Sequence, residues 1–183
     1  MALALDWAAA HNLDLPARYA VLAHDLGKAT SRATDLPRHI AHEQRSVRLA
    51  ARLSDRLKVP LDCRDAAALA ARYHGVVHRA AELRPATMLD LVLATDALRR
   101  PERLETLLAA CAADACSRPG MSQDYAPATV LRGALAAVKA VDAGAIAREV
   151  MARPKPQRDD AIPKAVRAAR LAALKRMKAA ELP

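Results

Sequence analysis

The apolar positions of this chain are filled mainly by alanine and leucine, and this restricts the folds open to it. The 183 residues include no phenylalanine, one tryptophan and three tyrosines, and β-branched residues, which strands favour, are sparse. Alanine and leucine are strong helix formers. The sequence therefore predicts an all-α bundle of several closely packed helices with no sheet. Its length suits one domain, or one domain with a small appendage.

Apolar periodicity, prolines and glycines predict the positions of the helices. Pro16 and Pro101 suit first helical turns, while Gly27 and Gly75 are expected to end helices. The predicted helices cover about residues 2–12, 16–26, 39–58, 62–74, 87–99, 101–116, 127–151 (one or two helices, interrupted near 142–144) and 164–180. A loop is predicted over 28–38, and a turn at Pro119-Gly120.

The chain divides by composition into a main domain over 1–151, a linker or long loop over 152–163, and a basic helix over 164–183. The linker is rich in proline and charge. The final helix is expected to pack on the domain, or to contact RNA or another part of a larger protein. Simple solvation of its basic face is the alternative.

The net charge of +9 and the pI near 10 indicate an anionic partner, with nucleic acid as the leading candidate. Because aromatic residues are few, contact with backbone phosphates is expected rather than base stacking. The alternative is an arginine- and alanine-rich composition that reflects a genome of high GC content. Cys63, Cys111 and Cys116 form no Cys-x-x-Cys pair, and no signal peptide or membrane span is evident, so a cytoplasmic protein with reduced thiols is expected.

The adjacent pair His24-Asp25 is the strongest indication of chemistry. Imidazole and carboxylate both bind divalent metals, and neighbouring helical residues lie only about 100° apart. The pair ends an apolar run that begins at Tyr19, where an ionised carboxylate needs compensation for its charge. A metal would provide it; a solvated or hydrogen-bonded helix end is the alternative.

Two further segments place imidazoles close together. His39 and His42 are three residues apart at a predicted helix start, and Glu43 repeats the imidazole-carboxylate neighbourhood. A helix cap favoured by the helix dipole is the alternative interpretation there. His74 and His78 form a weaker pair, since Gly75 would separate them and each could be an exposed polar residue.

Asp96 lies in an almost wholly apolar stretch, residues 91–98, and therefore also needs a partner. An arginine at 99, 100 or 103 is one candidate partner. The other is the metal held by His24 and Asp25.

These segments together resemble one family. Residues 18–28 (RYAVLAHDLGK), 36–43 (LPRHIAHE) and 96–103 (DALRRPER), with the stretches around 57–65 and 84–87, are similar to the C-terminal HD domain of bacterial multifunctional CCA-adding enzymes, which are tRNA nucleotidyltransferases. HD domains are metal-dependent phosphohydrolases with an H…HD…D signature. The resemblance covers about residues 3–150.

The resemblance implies an HD-type bundle with 2′,3′-cyclic phosphodiesterase, 2′-nucleotidase and phosphatase activities. It implies a divalent ion such as Mg²⁺, Mn²⁺ or Ni²⁺, held by His24, Asp25 and Asp96. His42 and His74, and then His39, would act as catalytic residues, as phosphate contacts or as further ligands, and His78 is a further candidate. Substrates would be tRNA or nucleotide phosphate ends. Replacing Asp25 or Asp96 by alanine is expected to abolish activity.

The chain departs from the family in two ways. The family's leading histidine would fall immediately before Met1, which indicates a shortened chain, a misassigned start or weakened metal binding; His11, about 16 Å along a helix, is a poor replacement. The nucleotidyltransferase half is absent from the sequence. Two hypotheses remain: a phosphohydrolase domain, or a catalytically degenerate domain that binds tRNA or acts as a scaffold.

Overall fold

The computed structural model describes residues 1–153 and 160–180, and within them every regular element is helical. The nine α-helices are α1 (Ala2–Ala10), α2 (Leu15–Ala23), α3 (His42–Leu57), α4 (Leu61–Val77), α5 (Pro85–Ala94), α6 (Pro101–Cys116), α7 (Ala126–Lys139), α8 (Ala143–Met151) and α9 (Ala161–Ala180). Short 3₁₀ helices cover Leu26–Thr30, Ala33–Asp35 and Ala80–Glu82. The predicted all-α class is confirmed. The bounds of α6 and the break between α7 and α8 also match the prediction.

Three predicted boundaries near the polar residues are wrong. Gly75 does not end α4, which continues to Val77, so His74 and His78 stay one turn apart. Helix α3 begins at His42 rather than His39, after Ala41 in the left-handed region at φ 54°. Helix α5 ends at Ala94, and its last predicted turn is replaced by a tight bend.

The core combines large apolar residues from α5, α6 and α7 with alanines from α2 and α4. Ala20 and Ala23 of α2 and Ala67, Ala70 and Ala71 of α4 are all buried, and α2 and α4 are in extensive contact. Small side chains at such an interface allow the helix backbones to approach closely. As a result the residues at the end of α2 lie close to His74, in the last turn of α4.

A glycine sets the position of α3 relative to the end of α2. A Cβ on Gly27 would lie 2.2 Å from the carbonyl oxygen of His42 and 2.6 Å from the backbone nitrogen of Ser46. The Gly27 N–H donates to Ser46 Oγ at 2.8 Å. The first turn of α3 is therefore seated directly on the segment that follows α2.

Helix α9 packs against α5, α7 and α8. Leu174 is fully buried, Arg167 donates to Asp90 Oδ1 at 2.9 Å, and Lys178 donates to the carbonyls of Ala81 and Leu83. The helix begins at Ala161 rather than Lys164. Half of the predicted linker, residues 154–159, lies outside the described residues, and the division into domain and linker stays a prediction.

Candidate metal centre

Three helices bring imidazoles to one carboxylate. His24 and Asp25 directly follow α2, His42 opens α3, and His74 lies in α4. One potential ligand atom each from His24, Asp25 and His74 lies within 4.8 Å of the others. The side chains of His24 and His74 are buried, while those of Asp25 and His42 are about 15 % exposed.

The Nδ1 atoms of these three histidines are all engaged with backbone carbonyls. His24 Nδ1 lies 2.8 Å from Val21 O, His42 Nδ1 2.9 Å from His39 O, and His74 Nδ1 2.9 Å from Ala70 O. A carbonyl can only accept, so Nδ1 carries the proton in each ring. In the neutral rings Nε2 then holds the lone pair, which is the arrangement typical of metal-ligating histidines.

The Nε2 atoms all point at Asp25. His42 Nε2 and His74 Nε2 lie 3.3 and 3.4 Å from Asp25 Oδ1, and His24 Nε2 lies 3.3 Å from Asp25 Oδ2. His42 Nε2 and His74 Nε2 are 3.4 Å apart. Lone pairs and a carboxylate that face one another repel unless a proton or a cation lies among them.

Charge in the cluster shifts the pKa values of its members. Burial lowers the pKa of His24, but the adjacent Asp25 carboxylate outweighs this effect, so the pKa of His24 is raised. For Asp25, burial opposes ionisation, yet His24 and Lys28 hold its pKa far below the usual range. Burial, together with the nearby charge of His24, lowers the pKa of His74. Asp25 is thus an anion, and His74 favours the neutral form that binds metals.

Lys28 supplies a positive charge at the same carboxylate. Its Nζ lies 2.5 Å from Asp25 Oδ2, and its side chain is 42 % exposed. The lysine is one turn beyond Asp25 in the 3₁₀ helix Leu26–Thr30. It can therefore meet an anionic group that arrives at the edge of the cluster.

A second carboxylate, Asp114 of α6, was missed by the sequence reasoning. Its Oδ1 lies 3.8 Å from His24 Nε2 and its Oδ2 lies 3.2 Å from His78 Nε2. A hydrogen bond from His78 lowers the pKa of Asp114. The ring of His78 is held from the other side by Tyr125 Oη, 2.8 Å from Nδ1. An aspartate in the apolar segment 107–116 is the same signal that pointed to Asp96, and it could have found Asp114.

His39 lies in the loop before α3. Its Nδ1 is 2.8 Å from Ser31 Oγ, which also accepts from Arg45 at 3.0 Å. The carbonyl of His39 accepts from the backbone and the ring of His42. His39 thus positions His42, and its own catalytic role stays a prediction.

Asp96 is not among the ligand atoms gathered around Asp25. Its φ of 58° is in the left-handed region, and its two oxygens accept from Arg99 and Arg100 at 2.9–3.0 Å. The arginine hydrogen bonds lower the pKa of Asp96 to about 2. The structure thus shows the ion-pair partner that the sequence left open, and metal binding by Asp96 stays a prediction.

The residues at Asp25 fit a divalent cation. His24 Nε2 and Asp25 Oδ1 are buried and make no hydrogen bond within the described part of the chain. Buried polar atoms without a partner are costly and call for an explanation. A cation bound by these imidazole nitrogens and this carboxylate would satisfy both atoms.

The comparison with protein families agrees with this geometry. The HD domain model matches residues 2–118, and the chain belongs to the HD domain family.

Curated relatives make the comparison more specific. The chain is 48 % identical over 176 residues to the multifunctional CCA protein of Dechloromonas aromatica, covering 96 % of this chain and 41 % of that protein. It is 51 % identical over 149 residues to the multifunctional CCA protein of Nitrosospira multiformis, covering 81 % of this chain and 36 % of that protein. It is 49 % identical over 173 residues to the multifunctional CCA protein of Methylobacillus flagellatus, covering 94 % of this chain and 41 % of that protein. The chain spans about two fifths of the length of these relatives.

No solved structure matches the chain significantly. In the described residues, none of the helices has both the length and the hydropathy required to cross a bilayer.

Proposed function

We propose that this chain is a metal-dependent phosphohydrolase domain that acts on phosphate ends of RNA or nucleotides. Candidate substrates are 2′,3′-cyclic phosphates, 2′-nucleotides and other phosphate monoesters or diesters. The convergence of three Nε2 atoms on the Asp25 carboxylate, with each Nδ1 held by a carbonyl, is the observation that carries the proposal. Membership of the HD domain family supports it.

His24, Asp25 and His74 would hold the ion, with His42 Nε2 beside them. A divalent cation bound there supplies a bound water of lowered pKa and offsets negative charge on phosphoryl oxygens. A donor set of imidazoles and one carboxylate suits Ni²⁺ better than Mg²⁺, which prefers oxygen ligands. Binding of the ion by Asp96 is a separate prediction, because the oxygens of Asp96 already accept hydrogen bonds from arginines.

The protein's own side chains would bind the substrate and transfer the proton. The ammonium of Lys28 would stabilise the anionic phosphoryl group at the exposed edge of the cluster. His42, whose side chain is partly exposed, can hold a proton at Nε2 and deliver it to the leaving oxygen. Asp114 would hold His78 and add negative charge next to His24.

The resemblance to CCA proteins suggests a place for this chemistry. In a longer protein with a nucleotidyltransferase half, the domain would act on tRNA ends during repair or maturation. Both the tRNA and the further half are partners that we propose from relatives about 48–51 % identical.

Hydrolysis of 2′,3′-cyclic AMP tests the proposal. We expect turnover with Ni²⁺ or Mn²⁺ that EDTA removes and that Asp25→Asn abolishes. Asp90→Asn, which removes an exposed carboxylate of α5, is the matched control and is expected to keep full activity. Circular dichroism checks that each variant is folded.

A folded protein that binds metal but hydrolyses none of these phosphates would overturn the proposal. It would favour the second hypothesis, a domain that binds tRNA without catalysis.

A further inference from the structure

Three exposed arginines share a groove between α3 and α4. The groove has a volume of about 550 Å³, and its walls include Arg48, Arg72 and Arg79 together with Tyr73. All three arginine side chains are exposed. Within the described residues none of the three forms an ion pair with a carboxylate.

Four arginines elsewhere in the protein are neutralised by carboxylates. Arg64, Arg103, Arg132 and Arg167 each lie 2.6–2.9 Å from an aspartate or glutamate oxygen. The groove between α3 and α4 thus brings together three guanidinium groups that no carboxylate neutralises within the described residues, whereas these four are paired. Guanidinium groups bind phosphate oxygens through paired, charge-assisted hydrogen bonds.

The groove adjoins the candidate metal centre at the first turn of α3. Glu43 and Gly75 line it, and each directly follows a histidine of the cluster, His42 or His74. Gly75 has no side chain, and a Cβ there would lie 3.5 Å from Glu43 Oε1. Glu43, which faces His42 Nδ1 at 3.6 Å, is the acidic side chain in the groove wall. The groove wall and the cluster therefore meet at Glu43, beside His42.

The partly exposed ring of Tyr73 adds a second feature suited to a nucleic acid. Arg72 already lies over this ring, 5.6 Å from its centre. Aromatic rings and arginine planes are surfaces on which unpaired bases stack. A single strand offers both the phosphates and the free bases that such a groove can bind.

The other two grooves near the site fit a polyanion less well. The one at His78 and Tyr125 contains Asp124, and its Arg118 lies 4.0 Å from Asp114. The one on the opposite side of α3 contains Arg52 and Arg56 but is otherwise mainly apolar.

We propose that the groove between α3 and α4 binds the phosphate backbone of a single RNA strand and leads its end to Asp25. The identity of the RNA's phosphate end rests on the proposed function, whereas binding of the strand in the groove does not. Arg48, Arg72 and Arg79 contact successive phosphates, and Tyr73 stacks on a base. The domain then prefers a phosphate end on an oligonucleotide over the same end on a mononucleotide.

Binding of a fluorescent single-stranded RNA with an unreactive 3′-hydroxyl tests the groove. We expect Arg48→Gln/Arg72→Gln to weaken binding by about tenfold and to make the dependence of log K on log salt less steep by about 1.4, since each single-strand phosphate contact contributes about 0.7. The matched control, Arg52→Gln/Arg56→Gln, removes the same charge from the opposite groove and is expected to change affinity less than about twofold. Replacing Arg48 and Arg72 by lysine should keep the salt dependence.

Equal weakening of RNA binding by the two glutamine variants would overturn the proposal. So would an unchanged RNA affinity in Arg48→Gln/Arg72→Gln, which is the result expected if the groove bound an acidic protein instead. A second measurement compares a mononucleotide with an RNA oligonucleotide, both ending in a 2′,3′-cyclic phosphate. Arg48→Gln/Arg72→Gln should retain the mononucleotide rate and lose the preference for the oligonucleotide. If the wild-type protein hydrolyses neither, the proposed function fails, while the binding measurement still decides the groove.

Discussion

Helices α2 and α5 end in similar ways but produce different surroundings. After the last helical residue of each comes a buried polar side chain that hydrogen-bonds to the carbonyl three residues back. His24 Nδ1 bonds Val21 O at 2.8 Å, and Thr95 Oγ1 bonds Val92 O at 3.0 Å. An aspartate comes next in both. Each aspartate follows an apolar run and needs a partner for its charge.

The partners of the two aspartates differ in kind. Asp25 has a φ of −110°, and its carboxylate faces imidazoles from α3 and α4. Asp96 has a φ of 58°, and its carboxylate accepts from Arg99 and Arg100, which are 79 % and 52 % exposed. Imidazoles offer lone pairs to a metal, whereas guanidinium groups offer only protons. A carboxylate in an apolar segment therefore predicts that a partner exists, but the residues that face it in the fold determine whether that partner is an imidazole or a guanidinium group.

Substituting each aspartate by asparagine tests this difference most strongly. We expect Asp25→Asn to lower the affinity for Mn²⁺ or Ni²⁺ by more than about 100-fold, since a ligand should matter more than the groups that orient it. Asp96→Asn should leave the affinity unchanged, because asparagine tolerates the left-handed backbone and, in the part of the chain that the structure describes, Asp96 is not in the group of ligand atoms around Asp25. Isothermal titration calorimetry measures both. Comparable losses of affinity would support Asp96 as a ligand, as the resemblance implies.

Substitution of two glycines, Gly27 after α2 and Gly75 within α4, distinguishes the effect of packing from the effect of helix propensity. Gly27→Ala should lower the free energy of unfolding by on the order of 1–3 kcal/mol, because the Cβ would collide with backbone atoms of α3. Gly75→Ala, whose Cβ meets only ordinary contacts, should raise it by about 0.5–1 kcal/mol. Urea denaturation compares them. An unchanged free energy of unfolding in Gly27→Ala would contradict the close contact between Gly27 and the first turn of α3.

The pH dependence of metal binding gives the smallest expected effect. The raised pKa of His24 means that its ring is protonated in the metal-free protein at pH values where a free histidine is not, and a metal must displace that proton. Affinity for Mn²⁺ should therefore rise with pH from about 6, by at most tenfold per pH unit for one proton, and level off above the pKa of His24. Asp96, whose pKa is about 2, contributes nothing to this change. Titrations at several pH values measure it, and a flat profile would contradict the assignment of His24.

The amino-acid sequence by itself determined the helical class, most helix positions and the pair His24-Asp25. Alanine-rich periodicity is local and strong, and the motif residues are adjacent in the chain. Sequence reasoning also singled out His42 and His74, but it separated His74 from His78 by ending a helix at Gly75. A glycine within a helix weakens it without ending it when packing holds both sides.

Only the tertiary structure decided which polar residues meet. Asp114 lies 89 residues beyond Asp25 in the chain, and it faces His24 because α6 packs against both α2 and α4. The Asp96 carboxylate accepts from two arginines close to it in the chain, at a residue with a left-handed backbone. The absence of a side chain at Gly27 allows α3 to contact the segment after α2. No pattern of neighbouring residues in the sequence predicts this contact. Such contacts depend on the packing of distant helices, whereas periodicity and motifs report only neighbours in the chain.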